Sequence, residues 1–316
     1  MIVGVHHIGV AVRSIESVMP LYVTAAGLRR VDIDGGRTAV AAAAHGGGVV
    51  EDCMLAGPNA YVRLHQRRQA AYAQITEPSP INRPGIRHLC IQSHDCAGLE
   101  RAVYSAGGDL IAPPLDLGTG NQYAYARDRE RNIIEIEGLP YAPVTQPTWI
   151  GHVAIVTEEM DSTLALFAEL LGVTATGRRV IGPTKQIDRM GGLSNAQLEG
   201  AWLPASNMLL EFWEFKSPRY EGLVGRAGGP ETGYSHIAFE TDDLAGDSAR
   251  LFALGCIAEE GVGTLKPLQS LFMRTPDGIM LELVQPRDTA FSLAALDDIG
   301  VCARVEANKH CEGRYN

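Results

Sequence analysis

HIGVAV at residues 7–12 returns as HVAIVT at 152–157, and this pair of stretches decides the architecture. Two more landmarks recur at nearly the same distance: GIRHLCIQS (85–93) as GYSHIAFET (233–241), and RNIIEIE (131–137) as GIMLELV (278–284). The separations are 145 for His7 and His152, 148 for His88 and His236, and 147 for Glu135 and Glu282. Such agreement marks a duplication, and a fixed period constrains the fold before any local reading does. Each half also repeats within itself. All four histidines open short runs of alternating apolar residues, the period of a half-buried strand. A helical stretch follows each run and stops at Gly27, Gly107, Gly172 or Gly255, because glycine enters left-handed backbone past a helix end without a Cβ clash. Asp161, and Asp95 or Asp243, are the expected N-caps. Strand-like runs separated by Gly, Pro and Asn come next.

The reading is therefore α+β: four βαβββ units, paired into module 1 (1–140) and module 2 (148–286), with a tail at 287–316. GLPYAPVTQP (138–147) is the expected linker, since its prolines disfavour continued pairing. The tail is expected to carry one helix over 291–301 that caps an exposed edge, or else to end in disorder. Two glycine-rich stretches, 35–48 and 182–195, read as flexible loops, the first a candidate lid. Neither joins a strand to a helix with the Lys-Ser/Thr of a nucleotide loop.

Composition narrows the function classes. The chain has 316 residues, 46% hydrophobic and 20% charged, enough to bury two cores. A net charge of −10 argues against nucleic acid as partner, which needs clustered Lys and Arg. None of the six cysteines forms a CxxC pair, so a reduced, cytoplasmic setting is expected, with Cys90 as core filler. The opening residues lack the features of a signal peptide. No apolar run reaches the ~18 residues of a membrane span.

The chemistry resides in repeated ionisable residues within apolar strands. His7, His88 and Glu135 in module 1, and His152, His236 and Glu282 in module 2, occupy positions where an unpaired ionisable group is costly. Two imidazoles and a carboxylate suit a divalent ion such as Zn, Mn, Co, Ni or Fe. A fourth position belongs to Glu211 in MLLEFW (208–213), whose counterpart 148 residues earlier is Arg63 in AYVRLH (60–65). Arginine cannot ligate a metal; Arg63 would repel a cation or bind an anionic substrate group. Module 2 is thus the better metal site by sequence. A lone strand histidine is more often a hydrogen-bonded core residue, and a lone strand glutamate more often faces solvent; six in matching register weigh against that simpler account. His6 is expected on the face opposite His7, and His65 and His310 at the surface. Glu137 and Glu214 remain weaker alternatives.

These motifs resemble the vicinal oxygen chelate superfamily, which includes glyoxalase I, methylmalonyl-CoA epimerase, fosfomycin-resistance proteins and extradiol dioxygenases. The resemblance spans roughly residues 4–286. It is carried by HIGVAV with AAGL (25–28), GIRHLC, GHVAIV with LFAELLGV (166–173), GYSHIAFETDDL and TPDGIMLEL (275–283). Module 1 departs from it at RDRERNIIE, which lacks the Pro and Gly of the final turn. The resemblance implies open, U-shaped, barrel-like mixed sheets with flanking helices, and matches His152, Glu211, His236 and Glu282 to the four metal positions. It equally allows sites built across modules, joining His152 and Glu211 to His88 and Glu135, and His7 and Arg63 to His236 and Glu282. It also implies a small-molecule substrate and dimerisation, which two fused modules can satisfy within one chain.

Three outcomes compete. The first is an isomerase or epimerase in which a metal stabilises an enolate or enediolate on a small carbonyl or hydroxy-carbonyl substrate. Glu211 and Glu282 are the candidate catalytic carboxylates. The second is an Fe(II) extradiol dioxygenase acting on a catechol. That class usually places a His and a Tyr before the final turn, where this chain has Phe272 in module 2 and Tyr125 in module 1. The third is a non-catalytic binding or resistance protein, against which the retained triads argue.

Overall fold

The computed structural model describes residues 1–31, 38–40, 50–67, 79–222, 232–259 and 268–311. Four βαβββ units follow one another. The first comprises β1 (Ile2–Val12), α1 (Ile15–Pro20) running into a π-helical turn at Leu21–Ala25, β2 (Arg29–Val31), β3 (Thr38–Val40), β4 (Val50–Ala56) and β5 (Tyr61–Arg67). The second comprises β6 (Gly85–Ser93), α2 (Cys96–Ser105), β7 (Asp109–Leu110), β8 (Gln122–Arg127) and β9 (Ile133–Gly138). The third comprises β10 (Thr148–Val156), α3 (Met160–Leu171), β11 (Thr176–Ile181), α4 (Lys185–Gly191), β12 (Gln197–Pro204) and β13 (Leu209–Ser217). The fourth comprises β14 (Gly233–Thr241), α5 (Leu244–Ala253), β15 (Ile257–Ala258), β16 (Leu268–Arg274) and β17 (Met280–Pro286).

The local signals act as expected at the helix ends. Gly27, Gly107, Gly172 and Gly255 all take positive φ, between 67° and 87°. Asp95 and Asp243 cap α2 and α5 by accepting from the amides of Gly98 and Gly246. Asp161 does not cap: Glu159, two residues earlier, is the N-cap of α3, and Asp161 instead pairs with Arg178. The 182–195 stretch is not a plain loop. Thr184 accepts from the Ile187 amide and starts α4, an N-cap the glycines obscured. Of the 35–48 stretch, Thr38–Val40 pair with β4, and the rest lies outside the described residues.

Two mixed, open sheets result. One runs β15-β16-β17-β14-β1-β5-β4-β2, with β3 also on β4; the other runs β11-β12-β13-β10-β6-β9-β8-β7. Unit one therefore shares a sheet with unit four, and unit two with unit three. The sheets do not follow the sequence halves 1–140 and 148–286. The seams are antiparallel β1–β14 and β6–β10, with Ile8 opposite Ile237 and Leu89 opposite Val153. Any of the four leading strands has the composition to meet any other, so the choice of partner is tertiary. The apolar faces of both sheets and the helices share one core. In it Phe167 of α3 lies 5.2 Å from Phe212 and 6.3 Å from Phe239, ring centre to ring centre.

The helix expected over 291–301 is displaced. Two 3-10 turns occupy Thr289–Phe291 and Leu293–Ala295, and α6 spans Val301–Cys311. Asp288 accepts from the Ala290 amide and Ser292 donates to the Thr289 carbonyl, local bonds that compete with a helix. The tail does pack: Val301, Cys302 and Val305 are buried, and the Cys302 thiol reaches the Ile150 carbonyl at 3.1 Å. Residues 312–316 and the side chain of His310 lie outside the described residues.

Candidate metal centre

Each leading strand of the 85–217 sheet pairs with a parallel neighbour that carries a glutamate. In β6–β9 the residue opposite Glu135 is Cys90, two past His88; in β10–β13 the residue opposite Glu211 is Ala154, two past His152. Side chains two apart share a strand face, so this register brings both carboxylates onto the histidine side. The antiparallel β6–β10 seam then joins the two pairs. His88, Glu135, His152 and Glu211 offer ligand atoms that all lie within 4.8 Å of one another, and all four residues are buried. Glu135 Oε2 is 3.0 Å from His88 Nε2 and 2.9 Å from His152 Nε2. Glu211 Oε2 is 3.5 and 3.2 Å from the same nitrogens.

The other sheet repeats this register. Ala238 stands opposite Glu282 and Gly9 opposite Arg63. His7, His236 and Glu282 converge within 4.8 Å, with Glu282 Oε2 at 3.1 Å from His7 Nε2 and 3.3 Å from His236 Nε2. The within-module set His152, Glu211, His236 and Glu282 is thus not brought together; the cross-module combination is. The four-ligand cup contains the module 1 residues His88 and Glu135, while Arg63 sits in the other.

The site's charge states follow from burial and mutual contact. Burial alone would raise the carboxylate pKa values. For Glu135, hydrogen bonds from His152 and His88 outweigh burial, and for Glu211 the charges of the same imidazoles do, so both stay below the usual range. Burial opposes a charge on His152, but Cys90, Glu211 and Glu135 together hold its pKa well above normal. In the second cup burial lowers His7 to about 3, and Glu282 stays ionised against burial through His236 and His7. Glu211 Oε2 and both oxygens of Glu282 are buried without a hydrogen-bond partner. Such groups cost about 1–3 kcal/mol or more when left so. Imidazole nitrogens and carboxylate oxygens around a common point fit a divalent cation.

Trp202, Trp213 and the contact of Cys90 escaped the sequence reading, whereas Tyr125 and Glu137 are named in it. Trp202 Nε1 donates to Glu211 Oε1 at 3.0 Å. The rings of Trp213 and Tyr125 each centre 5.2 Å from that of His88. Cys90, expected as filler, touches His152, and Cys90, Glu137 and His152 form a further ligand-like group. A period-two signal was available: Cys90, Glu137 and Trp213 each lie two residues past a ligand. Glu214, by contrast, pairs with Lys216.

In the second cup Arg63 is held by Asp52, at 2.8 Å to Oδ1 and 3.2 Å to Oδ2, and its Nη1 is 3.9 Å from Glu282. Phe272 rests against His236, ring centres 5.1 Å apart. Two histidines differ from expectation. His6 is buried beside His7 rather than across the sheet, because the pairing slips between Val5 and His7 and breaks the alternation. His65 is also buried and meets Ser235 at 2.8 Å.

Residues 149–283 match the Glyoxalase/Bleomycin resistance protein/Dioxygenase superfamily. Glyoxalase I from Zea mays shares the fold with a TM-score of 0.59 and 15% identity, over 98% of this chain and 96% of that one. A putative dioxygenase from Bacillus subtilis subsp. subtilis str. 168 gives 0.55 and 14%, over 99% and 96%. No curated protein matches in sequence. The family match covers residues 149–283, and the structural likeness shows that the rest of the chain shares the same fold. Among the described residues no helix is long and apolar enough to cross a membrane.

Proposed function

We propose that the chain is a metal-dependent isomerase or epimerase, working at the His88–Glu135–His152–Glu211 cup on a small carbonyl or hydroxy-carbonyl compound. The observation that carries this is Glu211. One of its oxygens is fixed by Trp202, while the other faces the cup without a hydrogen bond. His88, His152 and Glu135 would hold the cation, with Glu211 as a fourth ligand or as the proton carrier. A bound divalent ion would polarise the substrate carbonyl and acidify its α-proton. As the proton carrier, Glu211 Oε2 would take that proton and return it, to the neighbouring carbon in an isomerase or the opposite face in an epimerase. Tyr125 and Trp213 wall the cup beside His88 and keep water from the deprotonated substrate.

Extradiol ring cleavage is the second reading. It is favoured by Tyr125, which lies against His88 where Phe272 stands in the other cup. Both are tested by incubating purified protein with candidate hydroxy-carbonyl compounds in deuterium oxide. Proton transfer incorporates deuterium at the α-carbon, and Glu211→Gln lowers the exchange rate by about 10²–10⁴-fold. Oxygen consumption with a catechol, giving a yellow product and no deuterium exchange, would reject the isomerase reading for the dioxygenase.

A further inference from the structure

The second cup lies at the centre of a continuous hydrogen-bonded chain. His6 Nε2 lies 2.6 Å from the Phe291 carbonyl, and His6 Nδ1 lies 2.9 Å from His7 Nδ1. On the other side His236 Nδ1 is 2.9 Å from the Ser235 hydroxyl, which is 2.8 Å from His65 Nε2. Between them His7 Nε2 and His236 Nε2 face each other at 3.1 Å, both beside Glu282.

Proton positions follow from what each atom can do. A carbonyl only accepts, so His6 Nε2 carries the hydrogen and its Nδ1 presents a lone pair. His7 must then donate from Nδ1, which leaves the His7 Nε2 lone pair pointing into the cup. His236 has two choices. With the Ser235 hydroxyl donating to it, His236 carries its hydrogen on Nε2 and donates to His7. That arrangement spends the only available hydrogen between the rings and leaves Glu282, which has no exposed surface, with neither oxygen bonded. With Ser235 donating to His65 instead, His236 donates from Nδ1. Two nitrogen lone pairs and a carboxylate then converge, and one cation satisfies all three. Ligating histidines characteristically have the far nitrogen bonded in this way. Arg63 leaves that need unmet: Asp52 binds its Nε and Nη2 and offsets the charge that would repel a cation, and its Nη1, 3.9 Å away, forms an ion pair with Glu282 but no hydrogen bond.

We propose that His6, and Ser235 backed by His65, are positioning residues that set the His7 and His236 tautomers, so that the second cup holds a divalent cation of its own. The inference does not depend on the activity assigned to the first cup.

The test is titration of the metal-free full-length chain with Co²⁺, followed by calorimetry and the visible absorption of bound cobalt. Wild type takes two ions per chain, and Glu282→Gln takes one. His6→Phe keeps a ring against Tyr61, 4.9 Å away, but removes both hydrogen bonds. His6→Phe and Ser235→Ala weaken the second ion by about 10–100-fold, and Ser235→Thr restores it. The first cup's ion, bound unchanged in the same variants, reports that they are folded. A single ion in wild type that persists in Glu282→Gln, or second-ion affinity unchanged in both His6→Phe and Ser235→Ala, overturns the proposal.

Discussion

Replacing Asn207 with alanine is expected to cost far more than an ordinary polar truncation, because this side chain stitches the two sheets together. Its Nδ2 donates to the carbonyls of Val5 at 2.9 Å and Asn59 at 2.6 Å, and its Oδ1 accepts from the Val5 amide at 2.9 Å. Asn59, 148 residues earlier, does the reciprocal work. It donates to the carbonyls of Ile150 and Asn207, both at 2.8 Å, and accepts from the Ile150 amide at 3.1 Å. Both asparagines are buried, so water does not replace what is lost. Asn207→Ala removes three hydrogen bonds and strands three backbone groups. At about 1–3 kcal/mol per unsatisfied group, with partial relaxation, the loss is about 3–6 kcal/mol. Urea unfolding followed by circular dichroism measures it. The double mutant with Asn59→Ala should lose less than the sum of the two singles, because both truncations open the same seam. A loss below about 1 kcal/mol for Asn207→Ala, or strict additivity, would refute the view that this pair joins the sheets. Val5 and Ile150 lie two residues before His7 and His152, so the pair also sets the height of each histidine strand in its sheet.

Two further outcomes follow from buried groups elsewhere. Burial raises the Asp128 pKa to about 6, against the lowering effect of hydrogen bonds from Asn132 and Glu130. The folded chain therefore holds this proton where the unfolded chain, near pH 4, has released it. The stabilisation is present at low pH and is lost as pH rises from about 4 to 6, about 3 kcal/mol in all; Asp128→Asn should flatten that slope in urea melts, and an unchanged slope would count against it. Gly9 lies under the imidazole of His236, and an added Cβ would meet its Cε1 at 2.1 Å. Gly9→Ala should cost about 1–3 kcal/mol by overpacking and displace the His236 ring. An unmoved imidazole resonance and unchanged stability would show that the ring has room.

Much of this molecule is legible in its sequence. The 145–148 spacing, the histidine-led strands and the helix-ending glycines specify four βαβββ units, because each feature acts over a few residues. Period-two alternation likewise places Cys90, Glu137 and Trp213 on the ligand faces. Two matters were open to the fold alone. Four nearly equivalent leading strands can pair in more than one way, and only the packing of the shared core couples unit one to unit four and unit two to unit three. That choice puts Glu211 with His88 instead of His236. The slip between Val5 and His7, which turns His6 toward the second cup, arises from register against β14, a strand more than two hundred residues away. Sequence determines what each strand carries; the seams between sheets determine which strands meet, because pairing energy depends on faces that exist only once both partners are folded.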